Sequence, residues 1–257
     1  MRPSRQLRNA VCLLLLGTAP IVPHTACAGV PQAKLDREQA GYFRFKLGKV
    51  DVIALSDGTV TLDLTKELSN PTEAARVMTR KGVKLPLDVS VNAFLILLDK
   101  KVILVDAGAG ELFGPTLNKL TSSLRAAGME PDQVTDILVT HIHPDHTGGL
   151  AVGGQKVFAN AVIHVSKKEL AFWMDKAAAD KAEEPTRTFF KGVDQTLGPY
   201  LATGKVKTFE SGEQLFPGIR TLPGYGHTPG QSYFVLEDAG KKNGVLGRHG
   251  ACRGSAV

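Results

Sequence analysis

In the stretch THIHPDHTGG, Thr140 to Gly149, three histidines and one aspartate fall within six consecutive positions: His141, His143, Asp145 and His146. The whole chain holds 7 histidines in 257 residues. Composition alone produces an H-x-H-x-D-H arrangement with a probability below about one in a thousand. His141 and His143 alternate, so an extended segment sends both imidazoles to one side. Pro144 then turns the chain, and Asp145 and His146 face a neighbouring point. Two histidines on one metal and an Asp–His pair on a second suit a two-metal hydrolytic centre, whose ions sit about 3.5 to 4 Å apart. Gly148 and Gly149 let the backbone pass close.

A second stretch, GYGHTPGQSY from Gly224 to Tyr233, places His227 among glycines and prolines. At such a bend a side chain can be aimed inward while the backbone turns sharply. Alone it reads as a turn histidine. Beside the first cluster it reads as a third ligand to the metal held by His141 and His143. With three histidines on one ion zinc is the first expectation, although imidazole and carboxylate ligands also accept manganese, cobalt or cadmium.

Such side chains need a rigid frame, and the pattern supplies one. The segment from Lys49 to Leu64 reads as two strands around an Asp57-Gly58 turn, and Val89 to Gly108 as a second pair bent at Asp99-Lys100-Lys101. Their long apolar runs imply a sheet covered on both faces. Helical spacing runs from Pro115 to Ala127, stopping at Gly128. Val134 to Thr140 reads as a buried strand that delivers His141 at its C-terminal end, where a sheet fixes loops that open to solvent. Ser166 with Glu169 reads as a capping box opening a helix with Leu170, Trp173, Met174 and Ala177 on one face. Thr186 to Leu201 reads as another helix. Strands return at KVKTFE, LFPGIRTLPG and QSYFVLED.

The first 28 residues read as a secretory signal: Arg2, Arg5 and Arg8 head an apolar core, VCLLLL, and Ala26-Cys27-Ala28 supplies the cleavage spacing. The apolar run is shorter than the roughly 20 residues a spanning helix needs, so no stable membrane insertion is expected. Cleavage after Ala28 gives a periplasmic or secreted protein. It lowers the formal charge from +6 to +3, because three arginines and no acidic residue leave. No basic tract remains that argues for nucleic acid. Of the 3 cysteines only Cys252 stays, which excludes a disulfide within the mature chain.

Together THIHPDHTGG, GHTPG and the upstream ILVDAGAG resemble the metallo-β-lactamase fold superfamily, over nearly all of residues 40 to 240. The resemblance implies an α/β (α+β) fold, the αββα sandwich, with a dinuclear site at one edge. It implies two divalent metal ions, most simply zinc: His141, His143 and His227 on the first, Asp145 and His146 on the second, Asp145 counting as catalytic as well. Asp106 would be a carboxylate beside the site. Further segments, among them LFGPTLNKL and FFKG, resemble the organophosphate triesterase branch typified by methyl parathion hydrolase. That branch implies attack on phosphorus by a metal-bound hydroxide, with Phe113, Trp173 and Phe190 forming an aromatic pocket for an aryl leaving group. A lactonase or aryl esterase on the same metals is the alternative, since the fold hosts both. A small-molecule substrate and a homodimer also follow from the resemblance.

The expected domain is 29–242. The tail, 243–257, NGVLGRHGACRGSAV, is glycine-rich and unlike a strand. The family's bridging aspartate and last histidine have no counterpart there, with His249 expected to be a bystander. The sandwich is therefore expected to be truncated, the tail to be a frameshift product, and an inactive metal-binding protein is a further reading.

Overall fold

The computed structural model describes residues 40–68 and 70–238, with the backbone alone at 241–246. The expected signal, 1–28, and the chain beyond 246 lie outside the described residues.

The chain begins with antiparallel strands β1 (Tyr42–Leu47) and β2 (Val50–Leu62). Two helices follow, α1 (Leu64–Glu67), capped by the Asp63 side chain, and α2 (Pro71–Arg80), capped by Asn70. Next come β3 (Leu87–Leu98) and β4 (Lys101–Val105), joined at Asp99, whose φ of 51° fits a tight turn. Helix α3 (Leu120–Ala126) leads to β5 (Asp136–Val139), then the single turn α4 (Pro144–Thr147) and a small ribbon, β6 (Ala151–Val152) with β7 (Gln155–Lys156). Strand β8 (Val162–Ser166) runs into helices α5 (Lys167–Trp173), α6 (Lys176–Lys181), α7 (Thr186–Thr196) and α8 (Gly198–Leu201). The last strands are β9 (Val206–Phe209), β10 (Gln214–Phe216), β11 (Ile219–Pro223), β12 (Ser232–Asp238) and β13 (Lys241–Leu246).

A seven-stranded sheet, β1-β2-β3-β4-β5-β8-β9, stands beside a four-stranded one, β10-β11-β12-β13. Side chains alternate along each strand, so one sheet can serve two cores. Ile53, Leu55, Leu104, Ile137 and Val139 enter one cluster, with Leu124 of α3 and Val193 of α7. Their neighbours Val52, Ile103, Val105 and Leu138 enter the other, with Ile219, Phe234 and Leu236 of the second sheet. That arrangement of helices, sheet and second sheet is the expected sandwich. Strands β4, β5, β8 and β9 are mutually parallel, so the C-terminal ends of β4, β5 and β8 open onto one edge. Among the described residues no helix is long and apolar enough to cross a membrane.

Four local expectations are revised. Asp57-Gly58 is no hairpin turn: β2 runs through it with a bulge between Ser56 and Gly58. Gly58, at φ 127°, takes a conformation open mainly to glycine. The helix expected from Pro115 begins only at Leu120, because the Asp57 carboxylate accepts from the backbone N–H groups of Lys119 and Leu120 and fixes its start there. The helix expected over Thr186 to Leu201 breaks at Gly198-Pro199, where proline has no N–H to continue the ladder. Finally, residues 241–246, expected to be unlike a strand from Asn243 on, form β13, with Val245 opposite Val235 and Leu246 opposite Phe234. Pairing with the open edge of β12 outweighs the poor strand propensity of Gly244.

Candidate metal centre

The strand-end edge gathers the histidines. β5 ends at Val139, and the chain leaves it through Thr140 and His141, both wholly buried. His143 precedes α4, which carries Asp145 and His146. The β11–β12 loop supplies His227 from the second sheet, tied back by a 2.9 Å bond from Ser232 N–H to the carbonyl of Thr140. One ligand nitrogen from each of His141, His143 and His227 lies within 4.8 Å of the others. His227 Nε2 is 2.9 Å from His143 Nδ1. Ligands of a tetrahedral zinc stand about 2.0 to 2.1 Å from the ion, hence about 3.4 Å apart. The triad lies within small side-chain rotations of that geometry. Three neutral nitrogen donors are the set zinc accepts, so the residues present fit the group.

The His146 ring adjoins that of His141, with centroids 4.0 Å apart and the planes inclined by 49°. Its Nε2 is 3.2 Å from Asp145 Oδ2 and its Nδ1 is 2.8 Å from Asp106 Oδ2. Burial disfavours charge on Asp145, but the His146 charge and hydrogen bond outweigh it and hold the carboxyl well below the usual carboxylate range. Burial likewise opposes charge on His146, and Asp145 and Asp106 together raise it well above an ordinary imidazole. A cation would compete for the same Nε2 and carboxylate lone pairs, so this pair is a second ligand-bearing point adjoining the triad.

Asp106 orients both points. It sits past the end of β4 at φ 61° and is buried. It accepts from Thr140 N–H at 2.8 Å and from Thr140 Oγ1 at 2.9 Å. With that hydroxyl hydrogen committed, Thr140 Oγ1 can accept from His141 Nδ1–H across 3.1 Å, which leaves the His141 lone pair on Nε2. Asp106 does the same directly for His146 through Nδ1. The turn 106–110 is held by Asp57, whose Oδ2 accepts from Ala109 N–H at 2.8 Å. A Cβ on Gly149 would lie 2.0 Å from the Ala107 carbonyl oxygen, so glycine lets this turn approach the segment that follows α4.

The structure brings together all five expected metal ligands. Of the three expected pocket aromatics it keeps Trp173 and Phe190 together and sets Phe113 apart. Trp173 stands 5.5 Å from the His143 ring and 4.7 Å from Phe190. Phe190 is buried, and the second ring beside His143 is that of Phe189, at 5.1 Å. Helical phase decides this: adjacent residues on α7 point about 100° apart, so only one can face the site. Phe113 packs elsewhere, against Val91, Ala109 and Leu117. Trp173 and Phe190 line a cleft of about 360 Å³ with Arg187 and Lys191, and the histidine cluster is not among its lining.

Sequence reasoning missed two buried carboxylates. From its sequence neighbours Asp57 is half of a turn signal. Glu169 has the spacing of half a capping box, but Ser166 makes no side-chain cap, and the Glu169 carboxylate reaches the two histidine-bearing loops instead. No spacing signal separates these roles from the local ones.

Residues 87–247 match the model of the metallo-beta-lactamase superfamily. An N-acyl homoserine lactonase from Bacillus sp is 29% identical over 59% of this chain and 60% of its own length. The chain thus spans about three-fifths of that relative. Among solved structures, the hydrolase AbOPH of the beta lactamase superfamily is 31% identical with a TM-score of 0.72, covering 80% of this chain and 72% of that one. AidC, a dizinc quorum-quenching lactonase in complex with the product N-hexanoyl-L-homoserine, is 26% identical with a TM-score of 0.69, covering 79% and 72%.

Proposed function

Because the chain belongs to the metallo-β-lactamase superfamily, we propose that it is a metal-dependent hydrolase of cyclic esters, with N-acyl homoserine lactones the substrate class to test first. The observation that carries this reading is the convergence of His141, His143 and His227 within 4.8 Å beside the Asp145–His146 pair. Resemblance to the lactonases supports the carbonyl substrate over the phosphoryl one. His141, His143 and His227 would hold one ion, and Asp145 and His146 would contribute to a second. Divalent metals bound there, zinc first among them, supply Lewis acidity toward an ester oxygen and acidify water toward neutral pH.

The protein's own residues do the rest. Asp106 and Thr140 fix which imidazole nitrogens carry hydrogen. Phe189 and Trp173 put apolar surface beside His143, against which an acyl chain or ring can lie. Tyr225, two residues before His227 and 49% exposed, adds a further ring, under the Lys168 ammonium at 4.2 Å.

An aryl phosphotriesterase of the methyl parathion hydrolase type is the second reading. The Trp173–Phe190 pair beside its cleft favours it, as a surface on which an aryl group can stack. Rates on N-hexanoyl homoserine lactone, methyl parathion and phenyl acetate separate the readings. The lactone is expected to lead in kcat/KM by more than tenfold, about 1.4 kcal/mol of transition-state discrimination. Methyl parathion leading by that margin would reverse the order, and zinc-loaded protein that turns over none of the three would be a binding protein. We also propose export, from the basic head and apolar core before Ala28. The mass of the mature protein checks this.

A further inference from the structure

Glu169, in the first turn of α5, is wholly buried. Its Oε1 accepts from the backbone N–H of Ile142 at 2.9 Å and from Trp173 Nε1–H at 2.8 Å. Its Oε2 accepts from Thr228 Oγ1 and from Gly230 N–H, both at 2.8 Å. A carboxylate offers about four acceptor sites, and four donors use them. The donors come from three places that matter to the metal centre. Ile142 lies between His141 and His143. Thr228 follows His227. Trp173 is one of the two aromatic side chains beside His143. The approach is close as well: a Cβ on Gly230 would lie 2.2 Å from the backbone nitrogen of Glu169.

We propose that Glu169 is a positioning residue for the metal centre: one carboxylate clamps the two loops that bring His141, His143 and His227 together, and ties the Trp173 wall to them. The inference rests on reading those histidines as metal ligands. His141 and His143 leave the large sheet and His227 leaves the small one, so the triad depends on the spacing of two separately built loops. The carboxylate bonds both directly. Three of the four donors are N–H groups, which cannot reverse their polarity. A glutamine at 169 offers one oxygen and turns its NH2 toward two donors. In a capping box glutamine replaces glutamate with little loss, so the two roles predict opposite outcomes for that substitution.

Zinc affinity of the full-length chain, measured after demetallation by competition with a chromophoric chelator, tests the clamp. Glu169→Gln is expected to weaken zinc binding at least about tenfold, as loss of groups supporting metal ligands does. The visible spectrum of the cobalt form is expected to change with it. In a His227→Ala background Glu169→Gln should cost less than about twofold, because the clamp acts through His227. Thr228→Val, which removes one donor and keeps the carboxylate, is expected to weaken zinc about threefold and decides the matter if Glu169→Gln does not fold. Wild-type zinc affinity in folded Glu169→Gln, or in Thr228→Val, overturns the proposal while leaving the metal centre standing. A wild-type chain that binds no zinc overturns both.

Discussion

At the scale of single residues, the centre is held by hydrogen bonds that leave little choice of tautomer. Asp106 accepts from Thr140 and from His146 Nδ1, and Thr140 lies 3.1 Å from His141 Nδ1. Asp106→Asn would place an amide where two or three donors converge, and zinc affinity is expected to fall by 10- to 100-fold with the fold retained. Circular dichroism and a chelator competition check both halves. Tyr200 behaves differently, as a structural residue. Its hydroxyl donates to the Leu150 carbonyl at 2.9 Å and accepts from Phe158 N–H at 3.2 Å. Burial pushes its phenol up to about 12. A folded value above the unfolded one, about 10, means that the stabilisation is complete below about pH 10 and is lost as pH rises through 12. Tyr200→Phe should cost about 1 to 2 kcal/mol at neutral pH and remove that part of the alkaline loss of stability, measurable by urea denaturation. The clustered side chains themselves were legible because histidine is rare here and five donors crowd two short motifs. Asp106 was half legible, as a carboxylate at a strand end. Phe189 was not, because neighbouring aromatics on a helix cannot be phased without knowing which face the sheet covers.

At the scale of elements, the longest strand shows what sequence patterns miss. The Asp57-Gly58 pair has the composition of a hairpin, yet the chain continues straight through as a bulge. The Asp57 side chain is fully buried and serves Ala109, Lys119 and Leu120, starting α3 and anchoring the turn that carries Asp106. Long-range partners outweigh a local turn preference, and nothing near position 57 announces them. Asp57→Ala would take the carboxylate acceptor from Ala109 and Leu120 N–H, while Lys119 N–H keeps the Asp57 main-chain carbonyl at 3.1 Å. The expected cost is about 2 kcal/mol or more, with amide exchange accelerating first at Ala109 and Leu120. Protection unchanged at those amides would contradict this anchoring role. The buried strands and the Asp99 bend were readable because apolar runs and turn residues coincide there. β13 was not: its partner strand, rather than its own glycine and asparagine, makes it a strand.

At the scale of the whole molecule, the same strand that delivers His141 is pinned at its other end. Asp136, the first residue of β5, is buried and bonds Lys101 Nζ at 2.7 Å and His164 Nε2 at 2.9 Å. Burial works against its charge, but the hydrogen bonds from His164 and Lys101 prevail and hold the carboxyl well below the usual range. A depressed folded value contributes stability above the ordinary carboxylate range, about pH 4, that is lost as pH falls through the folded value. Asp136→Asn is therefore expected to destabilise the protein by about 2 kcal/mol at neutral pH and to flatten the acid limb of its Tm profile. An acid limb unchanged by the substitution would show that Asp136 does not govern it. Function at the other rim should be spared where the fold survives.

The most direct test is a zinc titration of the demetallated chain by calorimetry, with His141→Ala and His146→Ala alongside. The wild-type protein is expected to take up zinc. His141→Ala should lose the tight site, and His146→Ala should keep it while losing binding at the Asp145 point. If both variants retain the zinc content of the wild type, the histidine cluster is not the metal centre described above.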